Sequence, residues 1–381
     1  MRTLYTVILK PTKACNADCS YCAAPMENKY RWDIATFRKV FDFLEPAVHD
    51  GASIIWHGGE PMLLGTEFYR QAHDYVISKR PSVKFSMQSN ILLYTEKWRD
   101  VFANIFKGSI STSYEPGFGR TLGGNATAYT KVFFEKIVRM IEDGFFPMVI
   151  GTYQDHNINM AIDMYDWSLN MQEKYGHGCH IRINYCTPTG RAKSGEWKLN
   201  PERYGEVLVD IFDRWVDDCP SFDIVPLSQM LDKCLGTDTF RCPWINDCGG
   251  RFIEVEPNGD MYNCGEFADI GDRSLSFGNV FQDGLTIFDA LHSRTAKKIK
   301  RRPVSIPEDC LECEHYRECQ GGCSRDAWLN NGDISGKFPY CKSWKAVFGH
   351  MKTRLKNQDD RMKFFLDARS RKRFIPIRVA A

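Results

Sequence analysis

Short β-rich apolar runs alternate with longer amphipathic stretches through the first half of this chain. The runs are Leu4–Leu9, Ser53–Trp56, Lys84–Gln88, Gly108–Ser113, Met148–Tyr153 and His180–Asn184. Between them apolar residues recur at helical spacing: Ile34, Phe37, Phe41 and Leu44; then Trp98, Phe102 and Ile105; then Val132, Phe133, Ile137 and Ile141. Strands alternating with helices predict a parallel sheet with right-handed crossovers, and ligand sites at the carboxyl ends of the strands. Thr187–Asn200 is turn-rich and polar and reads as a linker. A helix follows from Pro201 to about Val216, with proline in its first turn. From Cys242 the periodicity fades and cysteines crowd in. The basic run within Arg369–Arg378 reads as a solvated tail, or alternatively as a docking patch for an acidic peptide.

Length and composition narrow the class. A chain of 381 residues accommodates one large domain and a smaller one, and 43% hydrophobic with 13% aromatic residues describes a packed globular protein. Lys+Arg 50 against Asp+Glu 48 leaves +2, which carries no nucleic-acid footprint. No signal peptide and no apolar run of bilayer length is present, so a cytoplasmic protein without a membrane partner is expected. In that compartment fifteen cysteines read as metal ligands and not as disulfides.

The chemistry begins at Cys15-Asn-Ala-Asp-Cys19-Ser-Tyr-Cys22, directly after the first run. Three thiolates at this spacing suit three corners of a cubane iron–sulfur cluster, leaving the fourth iron open to a substrate. A closed zinc site needs four ligands, and the next cysteine is Cys179. With Tyr21 before the last cysteine, the motif resembles that of the radical S-adenosylmethionine enzymes. There the cosubstrate chelates the open iron and is cleaved to a 5′-deoxyadenosyl radical that abstracts hydrogen. The resemblance implies an α/β partial (β/α)6 TIM-type barrel.

A second array reads Cys248, Gly259, Cys264, then Cys310-x2-Cys313-x5-Cys319-x3-Cys323, and finally Cys341, with Cys242 as an eighth thiol. It resembles the SPASM extension of the same enzymes, so the resemblance spans nearly the whole chain. It implies interleaved sets: Cys242, Cys248, Cys264 and Cys323 for one auxiliary cluster, and Cys310, Cys313, Cys319 and Cys341 for another. Three 4Fe–4S clusters and S-adenosylmethionine are then the expected cofactors; paired zinc ribbons are the alternative for the second array. The expected division is a barrel over 1–190, a linker with a helix over 191–241, a cysteine-rich region with little regular structure over 242–345, and a helix with the basic tail over 346–381. That region is expected to depend on its metals for folding.

His57-Gly58-Gly59-Glu60-Pro61 after the second run resembles the family's GGEP loop, which implies that Glu60 accepts from the cosubstrate ammonium. Gln88-Ser89-Asn90, Ser111 and Val149-Ile150-Gly151-Thr152 end later runs on the same face, as candidates for the methionine, ribose and adenine portions. Tyr185 and Cys186 follow the sixth run as substrate-pocket candidates. Cys179, Cys219 and Cys234 read as inert buried thiols.

Enzymes of the resembled class modify peptides. In the sulfatase-maturing group an aspartate directly follows the cysteine equivalent to Cys264 and serves as base; this chain has Gly265 and then Glu266. A base one residue further along points differently. The expectation is therefore a maturase of a ribosomally made precursor peptide, forming a carbon–carbon or thioether cross-link or another oxidation, with Glu266 as displaced base or substrate-binding carboxylate. Formylglycine formation in sulfatases, small-molecule dehydrogenation and an iron–sulfur electron carrier are the alternatives. Fourteen residues precede Cys15, too few for a leader-binding domain, so leader recognition is expected from a separate leader-binding protein, from the barrel or tail, or not at all; a flavodoxin- or ferredoxin-type reductant is the other expected partner.

Overall fold

The computed structural model of the chain describes residues 2–23, 30–194, 197–237, 242–245, 247–357 and 359–373. Six strands follow the six runs: β1 Leu4–Leu9, β2 Val48–Trp56, β3 Lys84–Gln88, β4 Ile110–Ser113, β5 Met148–Tyr153 and β6 Ile181–Tyr185. Helices α1 Ile34–Leu44, α2 Thr66–Lys79, α3 Ala126–Glu142 and α4 Ala161–Tyr175 make the crossovers. Between β3 and β4 the stretch around Trp98 and Phe102 forms only short helical turns, Glu96–Trp98 and Val101–Ile105. Successive strands from β1 to β6 pair in parallel, as the alternating pattern predicts.

Alternation along the strands creates two faces. Val7, Leu9, Ile54, Trp56, Phe85, Met87 and Val149 point outward into one core with Phe37, Phe41, Tyr69, Val76, Phe133 and Ile137 of the helices. Each such burial contributes roughly 1.5–3 kcal/mol. The opposite row lines the inner face of the partial barrel and turns polar along its length: Ile8 and Ile55, then Ser86, Gln88, Ser111, Ser113, Thr152, Arg182 and Asn184.

The sheet continues beyond the six strands. Helix α5 (Pro201–Asp218) leads to β7 (Ile224–Val225), which pairs with β6, and to α6 (Leu227–Cys234). On the other side β8 (Phe252–Val255) pairs in parallel with β1, and β9 (Asp260–Tyr262) and β10 (Gly278–Asn279) extend it antiparallel. One ten-stranded sheet therefore runs through the segments 1–190, 191–241 and 242–345.

The cysteine-rich region carries more regular structure than its weak periodicity predicts. It contains α7 (Gly265–Ala268), α8 (Ile287–Leu291), α9 (Arg294–Lys300), α10 (Glu308–Leu311), α11 (Tyr316–Cys319) and α12 (Ser324–Asn331). Helix α13 (Cys341–Asn357) lays Trp344, Val347, Phe348 and Met351 against Leu208, Phe212 and Trp215 of α5, a second core. The last helix, α14 (Asp360–Arg373), corrects part of the solvated-tail reading. Arg369 is half-buried, lies over the Trp215 ring and pairs with Asp223 and, at 3.5 Å, with Asp232. Residues of the basic run beyond 373 lie outside the described residues. No helix among the described residues is long and apolar enough to cross a membrane.

Candidate functional site

The loop leaving β1 carries Cys15, Cys19 and Cys22, and it is fixed from three sides. Asp18 N donates to Thr121 O (3.1 Å) and Ser20 N to Gly119 O (2.8 Å), while Thr121 Oγ1 donates to the Asp18 carboxylate (2.8 Å). Arg191 Nη1 donates to Asp18 O and Cys19 O at 3.0 and 3.1 Å. From the third side come the two glycines of the His57–Pro61 loop. A Cβ on Gly59 would stand 2.2 Å from Ala14 O, and one on Gly58 2.5 Å from Thr12 O. That proximity lets Gly59 N donate to Thr12 O (2.9 Å) and Glu60 N to Ala14 O (2.8 Å). The glycines thus clamp the approach to Cys15.

Glu60 is fully buried, and its carboxylate accepts from Met62 N, Ser89 Oγ and Asn90 N, each at 2.8 Å. Burial pushes its pKa up to about 7. The sequence reading gives this carboxylate to an ammonium; the structure gives it three donors of the protein itself, joining the Pro61 turn to the end of β3. Asn90 continues the chain of contacts, its Nδ2 donating to Asn16 Oδ1 (2.7 Å) and toward Cys15 Sγ (3.6 Å).

Tyr21 is buried beside Cys186 and Ala192, against Trp197. Its hydroxyl donates to Glu115, which also receives Arg120 Nε (3.0 Å) and Thr152 N (3.0 Å). The Cys186 thiol is pushed by burial up to about 11, so it sits there as a neutral group. Ser111 belongs to the inner row, its Oγ 3.5 Å from Met87 O. Gly151 belongs to the outward row of β5, where a Cβ would fall 2.5 Å from the Tyr153 ring; Ile150 and Thr152 are the inward residues at that strand end.

Of the second array, Cys310, Cys313, Cys319 and Cys341 line one cavity, together with His315, Phe338 and Trp344. Cys264 and Cys323 are raised well above the usual thiol range by burial and by neighbouring thiols, Cys242 acting on both and Cys248 on Cys264. All described cysteines are free of disulfides. Among the described residues no three His, Cys, Asp or Glu side chains converge on a single-ion site.

The donor chemistry fits iron–sulfur clusters. Cys15 is pushed up to about 12 by burial, with Cys19 and Cys22 adding repulsion, so without a cation its thiol keeps its proton. Ala17 N (3.4 Å) and Asn90 Nδ2 aim hydrogens at its sulfur, and Asn263 Nδ2 aims at Cys248 Sγ (3.5 Å), as thiolate ligands require.

Between the two cysteine regions lies a set of charges of which the sequence reading named only Glu266. Lys10, fully buried at the end of β1, donates to Asp269 Oδ1 (2.8 Å), Glu256 Oε1 (3.1 Å) and Gly265 O (3.2 Å). Burial alone would lower its pKa, but Asp269, Glu254 and Glu256 raise it well above the ordinary value. Arg325 Nη2 meets Glu266 Oε2 at 2.6 Å and its Nε meets Asp326 Oδ1 at 3.1 Å. Tyr185 OH donates to Asp326 Oδ2 (2.6 Å), and its ring stacks on Tyr340 at 3.9 Å. Arg325 holds the Glu266 carboxyl below its usual range, whereas burial pushes Asp326 up. A signal existed for this pair: Arg325-Asp326 stands in the first turn of the helix after Cys323. For Lys10, whose partners lie about 250 residues away in the chain, there was none.

No family model matches the chain. It is 33% identical over 362 residues to the uncharacterised protein sll1766 of Synechocystis sp., covering 86% of each. It is 24% identical over 389 residues to the serine-type anaerobic sulfatase-maturating enzyme of Bacteroides thetaiotaomicron, covering 92% of each. The solved structure of native anSMEcpe with bound AdoMet and Cp18Cys peptide shares the fold, with a TM-score of 0.77 at 18% identity over 93% of this chain and 98% of that one. In sequence and fold the chain is similar to these S-adenosylmethionine-dependent maturases, which supports a radical S-adenosylmethionine enzyme of the SPASM-containing maturase type. Such an enzyme works with S-adenosylmethionine and iron–sulfur clusters.

Proposed function

We propose that this enzyme oxidises a side chain of a ribosomally made precursor peptide, forming a carbon–carbon or thioether cross-link or another product short of two hydrogens. The observation that carries the reading is the state of the residue pair after Cys264. Gly265 supplies no carboxylate, and Glu266 is tied to Arg325 with its pKa held down. A carboxylate so paired is a poor proton acceptor and suits contact with a substrate ammonium or amide.

In this reading the loop cysteines and the two auxiliary sets hold three 4Fe–4S clusters. Bound there, the N-terminal cluster and S-adenosylmethionine supply hydrogen-atom abstraction. Gly58 and Gly59 set the loop's position, Glu60, Ser89 and Asn90 hold it rigid, and Pro61 starts the turn that Glu60 caps. The inner row of Gln88, Ser111, Thr152, Arg182 and Asn184 offers hydrogen-bonding groups to an extended peptide. Tyr21 with its Glu115–Arg120 partners closes the wall beside the loop, where exclusion of water protects a radical.

A second reading, formylglycine formation in a sulfatase, is supported by the named Bacteroides relative. The two are separated by anaerobic incubation with a sulfatase-type peptide containing serine or cysteine, beside any precursor peptide encoded nearby. Loss of two hydrogens from the precursor, with no aldehyde trapped by a hydrazine, supports the proposal. Conversion of the sulfatase peptide to a trapped aldehyde overturns it.

A further inference from the structure

Most of the connection between α8 and Cys310 carries charge of a single sign, ending only at Glu308 and Asp309. From Ala290 to Pro307 it holds six basic side chains and no acidic one. Arg294, Lys297, Lys298 and Arg301 are exposed. Salt bridges nearby belong to other cations, Arg273 with Asp260 and Lys337 with Asp309; among the described residues those four make none. Unneutralised like charges on a short helix repel one another, a cost that an acidic partner relieves. Apolar area accompanies them: Val304 is 84% exposed and Leu311, next to Cys310, 66%.

The same connection touches both auxiliary cysteine sets. A Cβ on Gly249, adjacent to Cys248, would come within 2.9 Å of Lys300 N, so the end of α9 lies directly over the first set. Arg302 is 1% exposed, donates to Gly321 O (2.7 Å), and interacts electrostatically with Cys323 and Cys248 of one set and Cys310 of the other. A basic, partly apolar face therefore lies on a segment that contacts thiols of both sets.

We propose that the outer face of α9, with Val304 and Leu311, is the docking surface for an acidic one-electron carrier of the ferredoxin or flavodoxin kind, which reduces the enzyme. One electron leaves the reduced carrier and enters the enzyme; no bond forms or breaks and no proton moves. Glu308 and Asp309 before Cys310 (Asp309 paired with Lys337) and Glu312 after it end the basic run and make the surface directional. The inference rests on the enzyme class and is independent of which peptide is the substrate.

The test uses iron-loaded full-length enzyme and a purified acidic bacterial two-cluster ferredoxin. Binding is measured by biolayer interferometry over a series of salt concentrations for wild type, the K297E/K298E/R301E variant and a control, K131E, on the exposed side of α3. The triple variant is expected to bind about ten- to a hundredfold more weakly with a shallower salt dependence, as loss of three steering charges implies. Formation of 5′-deoxyadenosine driven by reduced ferredoxin falls with it, while the dithionite-driven rate stays at the wild-type level. Should the triple variant lose iron or unfold early, the neutralising pair K297Q/R301Q carries the same binding comparison. Unchanged affinity and salt slope in a folded variant overturn the proposal, as does an equal loss in K131E. Loss of precursor-peptide binding with ferredoxin binding intact overturns it in favour of a peptide site. Because 5′-deoxyadenosine is read without peptide, failure of the peptide reading leaves this test unaffected.

Discussion

Removing the Glu60 carboxylate strips three buried donors of their acceptor at once. Met62 N, Asn90 N and Ser89 Oγ each sit 2.8 Å from it in a site with no access to solvent. A hydrogen bond to a charged group contributes about 1.5–3 kcal/mol, but three sharing one acceptor do not add fully, so Glu60→Ala is expected to cost about 3–5 kcal/mol. Glu60→Gln keeps one oxygen for Met62 N and Ser89 Oγ and turns its amide hydrogens on Asn90 N, so about half that loss is expected. Anaerobic urea unfolding followed by tryptophan fluorescence measures both. The pH dependence supplies an internal check. Burial raises the Glu60 pKa from 4.5 to about 7. Between those values the folded protein retains a proton that the unfolded chain has released, so this group's contribution is greatest below pH ~4.5 and declines as pH rises to ~7, by about 3 kcal/mol. The difference between wild type and Glu60→Gln isolates that decline. If Glu60→Ala unfolds within about 0.5 kcal/mol of wild type and the pH profiles coincide, the carboxylate is not the joint described above.

Three further outcomes are expected. Replacing Cys15, Cys19 and Cys22 together with alanine abolishes 5′-deoxyadenosine formation while iron analysis still finds the auxiliary share; continued cosubstrate cleavage refutes the assignment. Lys10→Met leaves Asp269 and Glu254 without their cation, Glu256 keeping only Lys13, and lowers stability by about 3–5 kcal/mol in the same urea assay. Gly59→Ala drives a methyl group to within 2.2 Å of Ala14 O. It should therefore displace the cysteine loop and suppress cosubstrate cleavage, with the circular dichroism spectrum little changed.

The strands and the cysteine sets were legible for different reasons. Runs such as Leu4–Leu9 and Met148–Tyr153 matched β1 and β5 residue for residue, because local apolar clustering and strand length coincide there. The cysteines stood out by their spacing, while their division into sets came from the resemblance; Cys310, Cys313, Cys319 and Cys341 do line one cavity. Strand β8 escaped because Phe252–Val255 is only four residues long and contains Glu254, whose fully buried place depends on Lys10 at the far end of the chain. Helix α13 hides its stripe of Trp344, Val347, Phe348 and Met351 among lysines, and only α5 opposite makes that stripe a core. The protein surroundings of Glu60 and Gly151 were hidden for a related cause. Position at a strand end is visible in sequence, but whether a group is already engaged, or which way the pleat turns it, is set by contacts between distant segments.

The pairing of β8 with β1 bears on how such an enzyme can be shortened or recombined. Thr6, Val7, Ile8 and Leu9 find their neighbours in Phe252–Val255 on one side and in β2 on the other. A fragment ending before Cys242 would present that whole border of β1 unpaired to water, an apolar template for intermolecular pairing. The carboxyl-terminal third is therefore the seam that seals the barrel. Chimeras that exchange it should be cut after the last strand has found its partner, not at the linker where the composition changes.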